Sequence, residues 1–156
     1  PIIPIIPIGI KDNPERLPML SMKAKYALKS LSVMAQQEKK MMAIKSIAAE
    51  ADVPPKFLEA ILLDLKRHGV VDSKRGIFGG YFLIKSAAKI MVGDVIRLMD
   101  GPLAPIRCAS VTAYQRCDDC VDEATCQIRK VMVDVRNAIA GVLDKKSIKD
   151  MLGTKI

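Results

Sequence analysis

Two adjacent prolines, Pro54 and Pro55, constrain this chain more than any other feature. The residue before a proline avoids helical angles, and proline itself fits only the first turn of a helix. A helix that runs up to Asp52 must therefore stop there, and Pro55 can open the next. Upstream, "AIKSIAAEA" puts Ile44, Ile47, Ala48 and Ala51 on one face. Downstream, "KFLEAILLDLKRHG" puts Phe57, Leu58, Ile61, Leu62 and Leu65 on one side. Lys66 and Arg67 fall in its last turn and Gly69 closes it. Ala48 is small where two helices cross, Asp52 tolerates the left-handed angles a corner needs, and Val53 plugs the corner. This is the layout of a helix-turn-helix.

The flanks extend it. "SMKAKYALKSLSVMAQQ" reads as an earlier amphipathic helix capped by Ser21. After the pair, two β-type runs, Val70–Asp72 and Tyr81–Ile84, surround a tip rich in Lys, Arg and Gly. That is a hairpin with a basic tip, the wing of a winged helix-turn-helix. "MVGDVIRLMDG" is a short helix with Val92, Val95, Ile96 and Met99 inward, stopped by Gly101 and Pro102. Aromatics make up 4% and Trp is absent, so the core is aliphatic and suits helices. The expected fold is mostly α: a winged helix-turn-helix with a β-hairpin wing and a long C-terminal dimerisation helix. The expected divisions are residues 1–18 as a flexible extension, 19–90 as the DNA-binding domain, and 91–156 as cysteine loop and dimerisation helix.

Charge is unevenly placed. The net charge is +8. Met22–Lys89 carries 13 Lys and Arg against 6 Asp and Glu, or +7, whereas Ile90–Ile156 carries 10 against 9, or +1. A polyanion-binding module followed by a neutral one fits that split. No apolar run reaches the roughly 18 residues a membrane span needs. "PIIPIIPIGI" is apolar, but its prolines prevent a helix and no basic segment precedes it, so it does not read as a signal peptide. No membrane association is expected, and the expected compartment is the cytoplasm. There, clustered cysteines suit metal or redox chemistry better than structural disulfides.

In a helix-turn-helix the second helix enters the major groove by its N-terminal end, which places Lys56, Glu59 and Ala60 at base edges of double-stranded DNA. Glu59 would accept from a cytosine amino group or reject other bases. Arg75 at the wing tip can reach a minor groove, with Gly76, Gly79 and Gly80 allowing close approach. Lys23, Lys25, Tyr26, Arg67 and Lys74 are candidates for phosphate contacts. His68, at a helix end, suits a cap or a phosphate contact.

All four cysteines fall between Cys108 and Cys126, spaced Cys108-x8-Cys117-x2-Cys120-x5-Cys126. Thiolates select soft metals. One C-x2-C knuckle is present where a four-cysteine zinc site usually shows two, and ferredoxin spacings do not match. Zinc, an iron–sulfur cluster and a thiol switch all remain open from spacing. Asp118, Asp119, Asp122 and Glu123 can cap the long helix that follows, with Cys126 in its first turn. Along that helix Ala124, Ile128, Val131, Val135, Ala138 and Val142 recur at spacings 4, 3, 4, 3, 4, a heptad-type seam suited to pairing with a second copy. A second edge, Met132, Ile139 and Leu143, can face the chain's own domain. No Ser-His-Asp, paired-carboxylate or phosphate-loop pattern occurs, which argues against an enzyme.

These pieces resemble a known family, the Rrf-type bacterial winged-helix regulators of the IscR, NsrR and CymR kind. "KAKYAL" at 23–28, "FLEAILLDLKRHGVVDSKRGIFGGYFLIK" at 57–85, "MVGDVIRLMDG" at 91–101 and the cysteine loop carry the resemblance, which covers about Met19 to Leu152. It implies Met19 as the natural start, a homodimer with paired long helices, and a promoter or operator as target. It implies a transcriptional repressor that senses iron–sulfur, iron, redox or nitric oxide status through a cysteine-ligated cluster. It also implies Cys108, Cys120 and Cys126 as ligands, with Cys117 additional. Arg129 stands where some members carry a histidine ligand, and it cannot ligate. The fourth ligand is then Cys117 or an acid from either subunit, with [2Fe-2S] preferred over [4Fe-4S]. Members without clusters keep two alternatives open: a thiol-switch regulator of cysteine or sulfur metabolism, and a zinc-stapled interaction or redox protein.

Overall fold

A computed structural model describes residues 20–37 and 40–153. The extension expected at residues 1–18 lies outside the described residues. Helix α1 (Met22–Gln36) begins where Ser21 takes the cap position and its hydroxyl accepts the Ala24 N–H at 3.0 Å. Helix α2 (Ile44–Ala51) ends at Asp52, whose φ of 51° and ψ of 59° are left-handed. Helix α3 (Pro55–Arg67) starts on Pro55, as the double proline requires. Ala48 and Val53 are buried in the corner between them.

Strands β1 (Val71–Lys74) and β2 (Gly80–Leu83) pair antiparallel, from Val71 opposite Leu83 to Lys74 opposite Gly80. The strand expected from Val70 begins one residue later. Val70 gives its N–H to the Leu65 carbonyl at 2.9 Å and so closes α3 rather than opening β1. Helix α4 (Val92–Asp100) follows, then the cysteine loop, helix α5 (Gln127–Leu143) and the short α6 (Ile148–Gly153).

One aliphatic core joins α1, α2, α3, β1, α4 and α6. Leu31, Ile47, Leu58, Ile61, Leu62, Leu65 and Ile148 are its largest fully enclosed members. Each contributes about 1.5–3 kcal/mol relative to exposure. Residues beyond 90 belong to it: α4 supplies Val92, Val95, Ile96 and Met99, and α6 returns Ile148 against α1. Two backbone hydrogen bonds hold that return, Val92 N–H to the Lys146 carbonyl at 2.8 Å and Ile148 N–H to the Ile90 carbonyl at 2.9 Å. Phe57 does not join the core side of α3. It lies at the margin of the buried stripe, about a quarter turn from its centre, is 58% exposed, and meets Tyr26 edge-on with ring centroids 6.2 Å apart.

Helix α5 contributes no buried residue. Its inner edge, Met132, Ile139 and Leu143, is half-buried, and with Ile96 and Leu103 it borders an open apolar cleft of about 530 Å³. Its seam residues Ile128, Val131, Val135, Ala138 and Val142 are exposed. Ala124 precedes the helix, so the seam starts at Ile128. The acids do not cap α5 either. Asp122 accepts from the Ala124 N–H and the Thr125 hydroxyl, both at 3.0 Å, which fixes a separate turn. Cys126 is the cap: it keeps extended angles, and its Sγ accepts the Arg129 N–H at 3.5 Å.

Candidate DNA-binding face and cysteine loop

Lys56, Glu59 and Ala60 are exposed on the first turns of α3. No side chain caps that N-terminus and no acid lies in its first turn. Pro55 has no N–H, and the Phe57 and Leu58 N–H groups bond the Pro54 carbonyl at 3.0 and 3.1 Å, so this end offers the positive end of the helix dipole rather than a row of free donors. The Tyr26–Phe57 ring contact joins the start of α1 to the start of α3. The wing is tied to the same helix: Lys66 Nζ bonds Ser73 Oγ at 2.8 Å and Asp72 at 2.9 Å. That contact holds the Asp72 carboxyl below the usual carboxylate range.

The candidate phosphate contacts divide into two groups. Lys23 bonds Asp64 at 2.7 Å, and Arg67 reaches the same carboxylate at 3.2 Å. Chiefly the Lys23 hydrogen bond holds the Asp64 carboxyl low. Lys25, Lys56, Lys74 and Arg75 make no ion pair among the described residues. Their charge is free for an outside partner. Gly76 has a φ of 120°, a backbone only glycine adopts easily at this tip. His68 caps α3, its Nδ1 2.9 Å from the Asp64 carbonyl.

Cys108 is buried in a 3-10 turn at Arg107–Ala109. Cys117, Cys120 and Cys126 are half-buried, and all four are free thiols. Cys117 lies near Cys108, and its thiol interacts with that of Cys108. That contact, burial and the neighbouring charges of Cys108, Asp119 and Cys126 push the Cys117 thiol up. Cys120 follows across a turn closed by its N–H on the Cys117 carbonyl at 3.2 Å. Its own carbonyl accepts from Arg116 at 3.0 Å. The donor chemistry suits a soft metal, yet among the described residues no three His, Cys, Asp or Glu side chains are grouped as metal ligands.

Two contacts join the cysteine turn to α5, and sequence gave no sign of either. Arg129 Nε donates to the Cys108 carbonyl at 3.1 Å, and Arg136 donates to the Ala109 carbonyl. A further clasp joins α4 to the end of α5: Arg97 grips Asp144 with two bonds of 2.7 and 2.8 Å. The Arg97 bond lowers the Asp144 pKa, and the same contact raises that of Arg97. Gly93 makes room for it, since a Cβ there would stand 2.0 Å from Asp144 Oδ1.

The head, its wing and the loop-to-helix order have known counterparts. The family model of Rrf2, described as an iron-dependent transcriptional regulator, matches residues 20–154. The chain belongs to the Rrf2 family. Rrf2 proteins are transcriptional regulators with a DNA-binding winged helix and are not enzymes. A Rhodobacter capsulatus protein named rrf2-like is 44% identical over 138 residues, 86% of this chain and 92% of that one. The structure of CymR, named as the global cysteine regulator of B. subtilis, is 28% identical with a TM-score of 0.71. The match covers 88% of this chain and 98% of that one. T. potens IscR is 29% identical with a TM-score of 0.66, over 86% of this chain and 85% of that one. No helix among the described residues of this Rrf2 protein is long and apolar enough to cross a membrane.

Proposed function

We propose that the chain is a homodimeric, promoter-binding repressor whose cysteine loop is its sensing site. The N-terminal end of α3 enters the major groove, with Lys56, Glu59 and Ala60 at base edges. Arg75 and Gly76 meet the minor groove. Lys25, Tyr26 and Lys74 take phosphates, and Lys23 and Arg67 do so by exchanging Asp64 for phosphate oxygen. The observation that carries this reading is the set of unpaired cations around the uncapped α3 end and the wing. The exposed seam of α5 (Ile128, Val131, Val135, Ala138 and Val142) pairs with the same seam of a second copy.

Cys108, Cys120 and Cys126 would hold an iron–sulfur cluster, [2Fe-2S] in preference to [4Fe-4S], with Cys117 or an acid as fourth ligand. Such a cluster supplies a centre that oxidant or nitric oxide alters. Arg129 and Arg136 carry the consequence, because they fasten the Cys108 turn to α5. A change in the loop is then felt along the helix that spaces the two DNA-binding heads. The Cys108–Cys117 contact supports a second reading. There, a peroxide oxidant takes two electrons and two protons from the two thiols, and a disulfide forms without metal.

Footprinting on the protein's own promoter region, with a salt titration, tests the DNA reading. Six to ten phosphate contacts lower affinity by about 10³–10⁵ between 50 and 200 mM salt. An absent or salt-insensitive footprint in both the metal-loaded and the metal-free forms overturns it. Anaerobic purification separates the sensors. Brown protein carrying iron and sulfide, bleached by Cys108→Ala, Cys120→Ala or Cys126→Ala, supports the cluster. Colourless protein with stoichiometric zinc, or metal-free protein that forms a Cys108–Cys117 disulfide, refutes it.

A further inference from the structure

The wing tip carries two side chains that the DNA-binding reading above leaves unused. Ile77 is 97% exposed and Phe78 is 90% exposed. The strands end at the Lys74–Gly80 pair, and the Gly79 N–H closes on the Gly76 carbonyl at 2.9 Å. That makes a four-residue turn with Ile77 and Phe78 as its two central residues. Glycine is needed on both sides of them. Gly76 takes a positive φ, and a Cβ on Gly79 would lie 2.4 Å from the Lys74 carbonyl oxygen. The turn is thus as tight as the backbone allows, and its two apolar side chains meet only water.

Nothing in the folded head uses them, because the core closes without the tip. Their surroundings say what could. Lys74 and Arg75 precede them and make no ion pair among the described residues, so the tip is an apolar end on a cationic stem. Its complement has an anionic rim and an apolar interior. Duplex DNA has both, in its phosphates and its base stack. The Lys66 contacts to Asp72 and Ser73 tie strand β1 at the base of the wing to α3.

We propose that Ile77 and Phe78 form an apolar wedge that enters the minor groove beside the α3 site and unstacks a base step. This rests on the promoter-binding reading given above. Apolar side chains that enter a minor groove part neighbouring bases and bend the duplex, and pyrimidine–purine steps yield most readily. The wedge therefore reads deformability: operators with a TA or CA step under the wing are favoured over those with a stiff A-tract there.

The test uses the full-length chain and duplexes of its own promoter region, with 2-aminopurine placed in turn at each base step of the footprint. Wild-type protein should raise the fluorescence at one flanking step per half-site. Phe78→Ser, and Ile77→Ser with Phe78→Ser, should keep the footprint position but lose that rise. Affinity should fall about ten-fold, the scale of one lost base–aromatic contact. Unchanged thermal melting should confirm that the head stays folded. Replacing the TA or CA step by an A-tract should weaken wild-type binding and leave the double variant indifferent. The wedge is overturned if wild type binds without any fluorescence rise, or if the double variant matches wild type in affinity and signal. It is likewise overturned if the double variant loses binding to anionic vesicles while DNA unstacking persists. A wild type that leaves no footprint brings down the promoter reading itself, and the wedge with it.

Discussion

Leu62 in α3 and Val131 in α5 occupy apolar positions in amphipathic helices, yet Leu62 is fully buried and Val131 is 55% exposed. The contrast holds along both elements. α3 buries Leu58, Ile61, Leu62 and Leu65, whereas α5 buries nothing. An apolar stripe records that a face must be covered, not what covers it. For α3 the cover is α1, α2, α4 and β1 of the same chain. For α5 it is part of α4 and the turn at Cys108 on one side, with water along the seam. The head covers its apolar stripe within one chain, and the long helix leaves its seam exposed.

The sharpest way to break the comparison is to place one charge in each stripe. Leu62→Asp should unfold the head. It leaves an unpaired carboxylate where no water reaches, at a cost of several kcal/mol against a typical total of about 5–15 kcal/mol. Loss of far-UV helical signal and of cooperative melting at 25 °C is the expected result. A folded Leu62→Asp protein would mean that the core tolerates water at α3.

Val131→Asp should do the opposite. The monomer already shows that site to solvent, so the head should melt as wild type does, within about 0.5 kcal/mol. Sedimentation should show monomers in place of dimers, and operator affinity should fall because two half-sites are no longer bound together. A dimer that survives both Val131→Asp and Val135→Asp would place the pairing surface elsewhere and close the gap between the two regions.

What could be read from sequence follows the same divide. The double proline, the Ser21 cap, Asp52 and the wing glycines act through local backbone angles, and each appears where residue type demanded it. Phe57 has the apolar character of a core residue, but it stands at the margin of the stripe, about a quarter turn from its centre, where α1 offers only the Tyr26 ring. Cys126 sits one place before the first turn, because its sulfur caps the helix while Asp122 is taken up by its own turn. The arginine contacts to the Cys108 turn and the Arg97–Asp144 clasp join residues 21 to 47 positions apart in sequence. No local pattern announces such pairs. Only Gly93 left a trace of one, as a glycine in a helix's first turn with no turn or cap to explain it.

The smallest effect lies at the junction of the two regions. Arg97 and Asp144 join α4 of the head to the end of α5 by two parallel hydrogen bonds. The side chains are 30% and 43% exposed, so solvent screens the pair and its worth is on the order of 1 kcal/mol. Asp144→Asn keeps the shape and removes the charge, and it should lower stability by about that amount at pH 7. Because Arg97 depresses the folded-state pKa of Asp144, the contribution is complete above the ordinary carboxylate range. It is lost as pH falls through the depressed value, so denaturant midpoints of wild type and Asp144→Asn should converge in acid. Gly93→Ala should reach the same state by another route. Its Cβ would take the place of Asp144 Oδ1 and push the carboxylate off Arg97. If one clasp underlies both effects, the double variant is little worse than either single variant, with a coupling of roughly 0.5–1 kcal/mol. Strict additivity would show that Gly93→Ala acts by some route other than the clasp, and that the room Gly93 leaves serves another need.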